Sequence, residues 1–368
     1  MEFLADYGLF LAKAVTLVLA MVVIITLIIS AVQREKSSEH EDGELRIRKL
    51  NDNYRKLREG IEARLMTDLD RKAFAKLRKK EEKAERKAEK VKAKVKSAKS
   101  DTADTAETAE TVDDAVKTRV FVLDFDGDIK ASDTEGLRRA ITAVLSVAKP
   151  EHDEVLVRLE SGGGMVHSYG LAAAQLDRVR AKGLNLTVCV DKVAASGGYM
   201  MACVADRIVA SPFAILGSIG VVAQLPNVHR LLKKNNVDFE VLTAGEHKRT
   251  LTVFGENTDK GRQKFLADLE DIHQLFKDYV GERRPQLDMV AVANGDIWFG
   301  RRALDVKLID AIQTSDEYLL EAAERAEVVS VSYQRKRTLP EKLGLAASAA
   351  VEHTVWRLLS VFRNQNLH

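Results

Sequence analysis

The chain has 368 residues, 46% of them hydrophobic, which is enough for at least one sizeable core. Its 57 basic and 55 acidic residues nearly cancel to a net charge of +2, but they are unevenly spread. The sequence contains neither a phosphate-binding P-loop motif nor a paired-cysteine zinc pattern, so we expect no metal and no cofactor. The two cysteines, Cys189 and Cys203, lie in apolar runs, which favours buried thiols over a disulfide.

The N-terminal segment is almost wholly apolar from Leu9 to Val32. Roughly 20 such residues are enough to cross the hydrocarbon of a bilayer. A cleaved signal peptide is the alternative, but it would have leading basic residues and a shorter apolar run, whereas Glu2 and Asp6 lead here. We therefore predict one transmembrane helix over residues 1–32, with the lipid bilayer contacted through residues 9–32.

Residues 33–117 are predicted to form a charged helical spacer that ends in a disordered acidic linker. Apolar residues at three- and four-residue steps indicate an amphipathic helix or a short coiled coil; they are Leu45, Ile47, Leu50, Tyr54, Leu57, Ile61 and Leu65. The run from Arg71 to Lys99 is typical of a solvated helix face or, as the alternative, of a patch for anionic lipid or nucleic acid. We predict no nucleic-acid partner. The acidic repeat Thr102–Thr111 is typical of disorder.

Residues 118–335 alternate between strand and helix patterns. Strands are predicted over 119–124, 154–159, 184–190, 207–210, 239–243 and 328–333, and the main helices over 133–149, 166–182 and 259–280. This alternation favours βαβ crossovers and a mainly parallel sheet in an α/β fold. Residues 336–368 are predicted to form a separate amphipathic helical tail, which would either pack against protein or lie at a membrane interface.

Ser196 lies in the most informative stretch, Val193-Ala-Ala-Ser-Gly-Gly-Tyr-Met200. An apolar strand pattern precedes it and a helix pattern follows, so the serine is predicted at a tight strand-to-helix turn. The start of a helix provides unpaired N–H groups and a positive dipole beside such a side chain. A nucleophilic serine needs donors of this kind for the negative charge that develops on a carbonyl oxygen.

A serine nucleophile also needs a base. The histidine candidates are His152, His167, His229, His247 and His273, none of them in a distinctive triad setting. Lys248, in a glycine-containing loop, is another candidate, because a lysine that is removed from water loses its proton more easily. Gly163 or Gly164, with Gly197, could supply N–H donors to a carbonyl oxygen, or these glycines could merely form turns.

Four motifs in sequence order carry a family resemblance: Glu160-Ser-Gly-Gly-Gly-Met165, Ala194-Ala-Ser-Gly-Gly-Tyr199, Ser211-Pro-Phe-Ala-Ile-Leu-Gly-Ser-Ile-Gly-Val221 and Lys248-Arg-Thr-Leu-Thr252. Together they resemble the signal peptide peptidase A family of serine peptidases, which has the Clp-protease/crotonase-like fold. The resemblance covers about residues 118–335, which would be the serine peptidase domain.

The resemblance implies a Ser–Lys dyad with Ser196 as nucleophile and Lys248 as general base. It also implies that Gly163, Gly164 and Gly197 surround the oxyanion hole and that Gly217, Ser218, Ile219 and Gly220 line the substrate groove. Relatives form rings in which serine and lysine can come from adjacent subunits, so a homo-oligomer is expected. The family usually has proline where this chain has Gly162, which removes a rigid turn but not the backbone donors.

The predicted location is the bacterial inner membrane, with a single pass. The resemblance suggests a catalytic domain in the periplasm. The basic residues after the predicted helix favour the cytoplasm instead, by the positive-inside rule; they are Arg34, Lys36, Arg46, Arg48 and Lys49.

The predicted function is that of a membrane-anchored serine endopeptidase. Its substrates would be peptides or proteins, in particular membrane-proximal peptides or signal-peptide remnants. A crotonase-type acyl-CoA enzyme is one alternative, since that fold uses a similar oxyanion hole. A non-catalytic membrane scaffold is the other, in which the basic spacer and the C-terminal tail would carry the function.

Overall fold

The computed structural model describes residues 43–67, 70, 76–78, 80, 83, 84, 87 and 118–335. The described residues divide into two units: residues 46–332 form one compact unit, and residues 43–45 with 333–335 belong to the other. The predicted transmembrane helix, the acidic repeat and the C-terminal tail lie outside the described residues. Among the residues that are described, no helix has both the length and the apolar character needed to span a bilayer.

One sheet runs through the described residues. Its strands are β1 (Gly43–Lys49), β2 (Arg119–Gly127), β3 (Asp153–Ser161), β4 (Asn185–Val190), β5 (Val193–Ala195), β6 (Arg207–Ala210), β7 (Ile215–Gly217), β8 (Ile297–Phe299), β9 (Ala311–Ile312) and β10 (Glu327–Arg335). The main order is β1-β10-β2-β3-β4-β6-β9, and β5, β7 and β8 branch from β3. Pairings from β10 to β9 and from β3 to β7 are parallel, whereas β8 is antiparallel to β7. The predicted α/β fold with a mainly parallel sheet is confirmed.

The helices connect these strands. They are α1 (Leu50–Leu65), α2 (Thr134–Val147), α3 (Val166–Ala181), α4 (Gly197–Ala202), α5 (His229–Lys234), α6 (Asp259–Arg283), α7 (Met289–Val292), α8 (Gly300–Asp305) and α9 (Ser315–Arg325). The predicted helices α2, α3 and α6 agree with the structure to within a few residues. On α2 the buried residues Leu137, Ile141 and Val144 recur at helical spacing, which explains why this segment folds as a helix against the sheet.

Alternating side chains of the central strands serve two cores. On β2, Phe121, Leu123 and Phe125 enter the larger core, which also contains residues of α2, α3 and α4. Val120 and Val122, on the opposite face, enter the smaller core under α9. A strand that is buried on both faces has apolar residues at nearly every position. For this reason β2 and β3 were readily predicted from the sequence.

The beginning of the predicted spacer differs from the sequence prediction. Leu45 and Ile47 lie in strand β1 and not in a helical stripe, and the helix begins only at Leu50. The side chain of Asn51 explains this boundary: its nitrogen donates to two carbonyl oxygens at the C-terminal end of α9, and its oxygen accepts from Val328 N at 2.7 Å. The start of α1 is thereby fixed at the junction of α9 and β10.

The predicted strand over 239–243 is wrong, because these residues form no regular element and are exposed. The ring of Phe239 packs against that of Phe254, with centroids 5.4 Å apart. The apolar residues that suggested a strand therefore contact a neighbouring loop and not a sheet.

The two cysteines are buried and unpaired, as the sequence favoured. Burial raises the pKa of the Cys203 thiol to about 12 and also raises the pKa of Cys189. Both thiols therefore remain protonated and unreactive near neutral pH.

Candidate active site

Ser196 lies in a sharp turn between β5 and α4. Its φ of 53° and ψ of −119° are unusual for a residue with a side chain. Its N–H donates to the carbonyl oxygen of Gly217 at 2.8 Å, and its own carbonyl oxygen accepts from Met200 N at 2.9 Å. The backbone is thus held on both sides, while the residue remains partly exposed and its hydroxyl makes no hydrogen bond with a described residue.

Strand β5 brings two other segments to this serine, because it pairs in parallel with the end of β3 and with β7. The carboxyl ends of parallel strands lie at one edge of a sheet, so the turns that follow these strands are neighbours. The turns contain residues 162–164, Ser196 and residues 217–220. The structure therefore brings together Ser196, the glycine run and residues 217–220, which the sequence predicted to be the nucleophile, the oxyanion hole and the substrate groove.

Gly163 and Gly164 approach other backbone more closely than a side chain would allow. A Cβ on Gly163, whose φ is +87°, would lie 2.7 Å from Ser196 Cβ and 2.7 Å from Gly197 N. A Cβ on Gly164 would lie 2.1 Å from the carbonyl oxygen of Ile129. Gly163 therefore contacts the serine turn directly, and Gly164 contacts the loop that follows β2.

The N–H groups of the three predicted glycines are not equivalent. The N–H of Gly163 donates to Ser161 Oγ at 3.0 Å. The N–H of Gly164 has no hydrogen-bond acceptor among the described residues. Gly197 begins α4, where an N–H has no partner within the helix. Two free donors, on Gly164 and Gly197, thus lie near Ser196, while that of Gly163 is already engaged.

The predicted groove segment continues from the serine turn. Gly217 and Ser218 both have positive φ, at 86° and 51°. Ser218 N donates to the carbonyl oxygen of Asp296 at 2.7 Å, and the carbonyl oxygen of Ile219 accepts from Gly295 N at 3.2 Å. Residues 217–220 therefore lie between Ser196 and the loop that leads into β8.

Lys248 lies in a different environment, within residues 221–257, which we call the lysine segment. Its side chain is exposed and makes no hydrogen bond or ion pair with a described residue. Most of the segment is exposed, and Gly255 is its one buried residue. Its exposed apolar side chains are Val222, Leu225, Leu231, Val237, Phe239, Val241, Leu242 and Phe254. Within one chain the structure does not bring Lys248 into contact with Ser196.

The five candidate histidines do not provide a base to the serine either, because none of them contacts Ser196 in the described part of the chain. His273 is the nearest to the site by its contacts, with Nε2 lying 3.3 Å from the carbonyl oxygen of Ile219 in the groove segment.

Sequence reasoning missed three side chains around the serine turn. Ser161 and Tyr169 form a buried hydrogen-bonded pair beneath Gly163. The indole nitrogen of Trp298 is buried and has no hydrogen-bond partner among the residues that the structure describes, and its ring lies against Gly217. Ser161 could have been found from its place within the glycine motif, whereas Tyr169 and Trp298 carry no local signal and look like ordinary core residues.

Comparison with known proteins identifies the family. The pattern described as "Peptidase family S49 N-terminal" matches residues 2–176, and "Peptidase family S49" matches residues 178–329. The chain is 49% identical over 357 residues to a probable protease SohB of Haemophilus influenzae, covering 97% of this chain and 96% of that one. It is 40% identical to a putative protease SohB of Buchnera aphidicola, covering 98% and 99%.

Among solved structures, the 1510-N membrane-bound stomatin-specific protease in complex with a substrate peptide matches with a TM-score of 0.40 and 13% identity, covering 62% of this chain and 96% of that chain. The family patterns and the full-length protease relatives together settle membership: this chain belongs to peptidase family S49 and is a peptidase.

Proposed function

We propose that this peptidase is a serine endopeptidase in which Ser196 is the nucleophile. The observation that carries the proposal is the backbone of Ser196, which adopts φ 53° at the start of a helix with a glycine run packed against it. Such a turn presents a hydroxyl at the end of a sheet, with N–H donors beside it. Positive φ alone is not unusual in this chain, since Ser218 has φ 51°. Ser196 combines it with ψ −119°, a helix start and the glycine contact, and this combination favours a functional serine.

Gly164 and Gly197 are the proposed oxyanion-hole donors. Their N–H groups are free, and a developing negative charge on a carbonyl oxygen needs donors that are already in place. Gly163 has a different proposed role, since its N–H already donates to Ser161 Oγ. Its lack of a side chain lets the glycine turn contact Ser196.

Lys248 is the proposed general base, and a neighbouring copy of the chain supplies it. Two observations favour this arrangement: Lys248 makes no contact with Ser196 in its own chain, and it lies in a segment with eight exposed apolar side chains. Burial of those side chains against a second copy would remove the lysine from water, which favours its neutral form. The oligomer would then be required for activity.

The proposed reaction has two steps. The Ser196 hydroxyl oxygen bonds to the peptide carbonyl carbon while its proton passes to the lysine amine. The peptide C–N bond then breaks, and the departing amine takes that proton. Water, deprotonated by the same lysine, attacks the acyl-enzyme, and cleavage of the ester bond releases a carboxylic acid and restores the serine hydroxyl.

The apolar run over residues 9–32 is the proposed membrane anchor. An enzyme held at the inner membrane would meet membrane-proximal peptides and signal-peptide remnants, which are the proposed substrates. The family resemblance favours a periplasmic active site, and the basic residues after the anchor favour a cytoplasmic one.

The test is labelling of the detergent-purified full chain with a fluorophosphonate probe. We expect labelling of the wild type, none of Ser196→Ala, and very slow labelling of Lys248→Ala. Mixing Ser196→Ala with Lys248→Ala subunits and letting them exchange should restore labelling, because an intact serine then meets an intact lysine from another copy.

Three other outcomes of this experiment would each contradict a different part of the proposal. Labelling that survives Ser196→Ala would overturn the assigned nucleophile. Restoration that fails after verified subunit exchange would place the lysine in the same chain as its serine. A wild type that retains CoA and resists the probe would favour the crotonase-type alternative.

A further inference from the structure

A chain of buried hydrogen bonds connects the glycine turn to α3. Gly163 N donates to Ser161 Oγ at 3.0 Å, and Ser161 Oγ lies 2.6 Å from the hydroxyl of Tyr169. That hydroxyl donates to the carbonyl oxygen of Asp128 at 2.7 Å. With the tyrosine proton on Asp128, the serine hydroxyl donates to the tyrosine oxygen at 2.6 Å in preference to the carbonyl oxygen of Gly127 at 3.3 Å, so the donors point in one direction along the chain.

The ring of Tyr169 also supports the other side of the site. The side chain is completely buried, and a Cβ on Gly197 would lie 2.4 Å from Tyr169 Cγ. One side chain on α3 therefore contacts the first residue of α4 with its ring and reaches the glycine turn with its hydroxyl. These are the two segments that carry the proposed oxyanion donors.

We propose that Tyr169, acting through Ser161, is a positioning residue that fixes the distance between the glycine turn and the serine turn. This inference rests on the proposed function and adds to it a residue outside the four motifs. The hydroxyl of Tyr169 would hold Ser161 Oγ, which holds Gly163 N–H and so places the neighbouring N–H of Gly164 for the oxyanion.

The glycine turn has little else to hold it at its first residue. Apart from its two neighbours in sequence, no described residue has an atom within 4 Å of the place that a Cβ on Gly162 would occupy, so the surroundings do not pack against this side of the turn. A glycine at this position is conformationally permissive. The hydrogen bond from Gly163 to Ser161 is the restraint that follows it directly in sequence.

The experiment measures the rate of fluorophosphonate labelling of Ser196 as a function of probe concentration, in the full-length oligomer. This separates the maximal rate of reaction with the serine, kinact, from the probe concentration at half-saturation, KI. Tyr169→Phe removes the hydroxyl and keeps the ring against Gly197. We expect its kinact to fall about tenfold with KI unchanged, since small misplacements of reacting groups are costly.

Two further variants make the result specific. Ser161→Ala should lower kinact by a similar factor, and the double variant should lose no more than the larger single one, because both act through one hydrogen-bond chain. Tyr318→Phe is the matched control. It also loses a buried tyrosine hydroxyl, bonded to Glu154 and Thr187 in the smaller core, and its kinact should equal that of the wild type.

The outcomes distinguish this inference from the proposed function. Labelled wild type with an unchanged kinact in Tyr169→Phe would overturn the positioning role alone. Additive losses in the double variant would also overturn it, since they would show separate effects. A wild type that is not labelled at Ser196 would overturn the proposed function and this inference with it.

Discussion

The serine turn and the lysine segment are built in opposite ways. Ser196 is held by hydrogen bonds on both sides and by a glycine backbone in contact with its Cβ, and buried residues surround it. The lysine segment has one buried residue out of 37, and its most exposed apolar side chain, Leu242, is 90% exposed. One chain therefore completes the first half of the proposed site but not the second.

This difference indicates that one chain alone fixes the geometry of the serine turn, whereas the geometry of the lysine segment would depend on assembly with a second copy. A strained φ persists only when the surroundings over-determine it, and such surroundings are present at the serine. Exposed apolar side chains in a contiguous stretch mark an interaction surface. A peptidase divided in this manner would be inactive as a single copy and active once a second copy covers the lysine segment.

The largest expected effect is at the glycine turn. Gly163→Ala places a Cβ 2.7 Å from Ser196 Cβ at a φ of +87°, so either the glycine turn or the serine turn must move. We expect peptidase activity and fluorophosphonate labelling to fall by about a hundredfold or more, as when an oxyanion donor is lost. Labelling kinetics with a urea unfolding curve provide the measurement.

Gly162→Ala is the matched control for that substitution. Its Cβ would have nothing within 4 Å, and its φ is not positive. Activity should be unchanged, and the free energy of unfolding should rise by about 0.4–1 kcal/mol because the unfolded chain loses freedom. Equal losses in the two variants would show that the close approach of Gly163 to Ser196 is not what the site requires.

The second expected effect concerns the lysine segment. Leu242→Asp should shift the protein from oligomer to monomer in sedimentation experiments and lower activity with it, because a charge would have to be buried in the interface. The unfolding free energy of the monomer should change by less than about 0.5 kcal/mol, as for other exposed positions.

Val290→Asp is the control for this change, since Val290 is 91% exposed but lies on α7, outside the lysine segment. It should leave both assembly and activity as in the wild type. An active, fully oligomeric Leu242→Asp protein would place the interface elsewhere on the surface.

The sequence predicted the rigid half of the site better than the exposed half. The motif around Ser196 specifies a strand, a turn and a helix through local chemistry, and the structure contains β5 and α4 there. Strand 239–243 was predicted wrongly because these residues join no sheet and Phe239 packs against Phe254. The spacing of apolar residues along an exposed segment does not show whether that segment packs on its own chain or on another one.

Tertiary contacts account for the other misses. Leu45 and Ile47 were predicted to lie in a helix but lie in β1, because Asn51 fixes the start of α1 through hydrogen bonds to residues more than 270 positions away. Strands β5, β7, β8 and β9 have two or three residues each, too few for a visible alternation. Tyr169 gave no signal because its proposed role depends on Ser161 and Gly197, which other elements bring into contact with it.

A third test compares a buried ion pair of the central sheet with an exposed ion pair of the lysine segment. Asp153 is buried at the start of β3, where Arg119 Nε donates to it at 2.9 Å and Lys149 N at 2.6 Å. Burial alone would raise its pKa, but the hydrogen bonds from Arg119 and Lys149 outweigh burial and hold that pKa below its ordinary value. Asp153→Asn should therefore destabilise the protein by about 1.5–3 kcal/mol at pH 7, because the hydrogen bonds of a buried carboxylate to Arg119 and Lys149 are weakened.

The pH dependence has a defined sign. A carboxyl with a lowered folded-state pKa stabilises the protein fully above its unfolded pKa, about 3.9. The stabilisation is lost as pH falls through the folded pKa. The difference between wild type and Asp153→Asn should therefore shrink below about pH 4.

The comparison is Asp238→Asn, in the lysine segment. The hydrogen bond and charge of Lys233 lower the pKa of Asp238 as well, but both side chains are exposed, so no measurable change in stability is expected. Equal losses at Asp153 and Asp238 would contradict the contrast between the buried sheet and the exposed lysine segment.

The smallest expected effect concerns two threonine N-caps, one at the start of α6 and one at the start of α9. Removing each cap in turn distinguishes local from global stability. Thr258 caps α6 by accepting from Gly261 N at 3.1 Å, and Thr314 caps α9 by accepting from Glu317 N at 3.2 Å. Loss of either threonine side chain removes about 1 kcal/mol from its own helix end. The buried residues of α6 are Phe276 and Val280, far from its capped end, whereas α9 buries residues from its first turn onwards.

Fraying at the start of α6 should therefore cost little of the global free energy of unfolding, while loss of the α9 cap should cost all of its about 1 kcal/mol. Amide exchange in the lysine segment should show the opposite order of effects. Thr258→Ala should speed this exchange, because the segment ends just before Thr258, whereas Thr314→Ala should leave it unchanged. Equal global losses in the two variants would mean that the start of α6 unfolds together with the core. The lysine segment would then belong to the same cooperative unit as the serine turn, and its exposure would not mark it as a separately ordered half of the site.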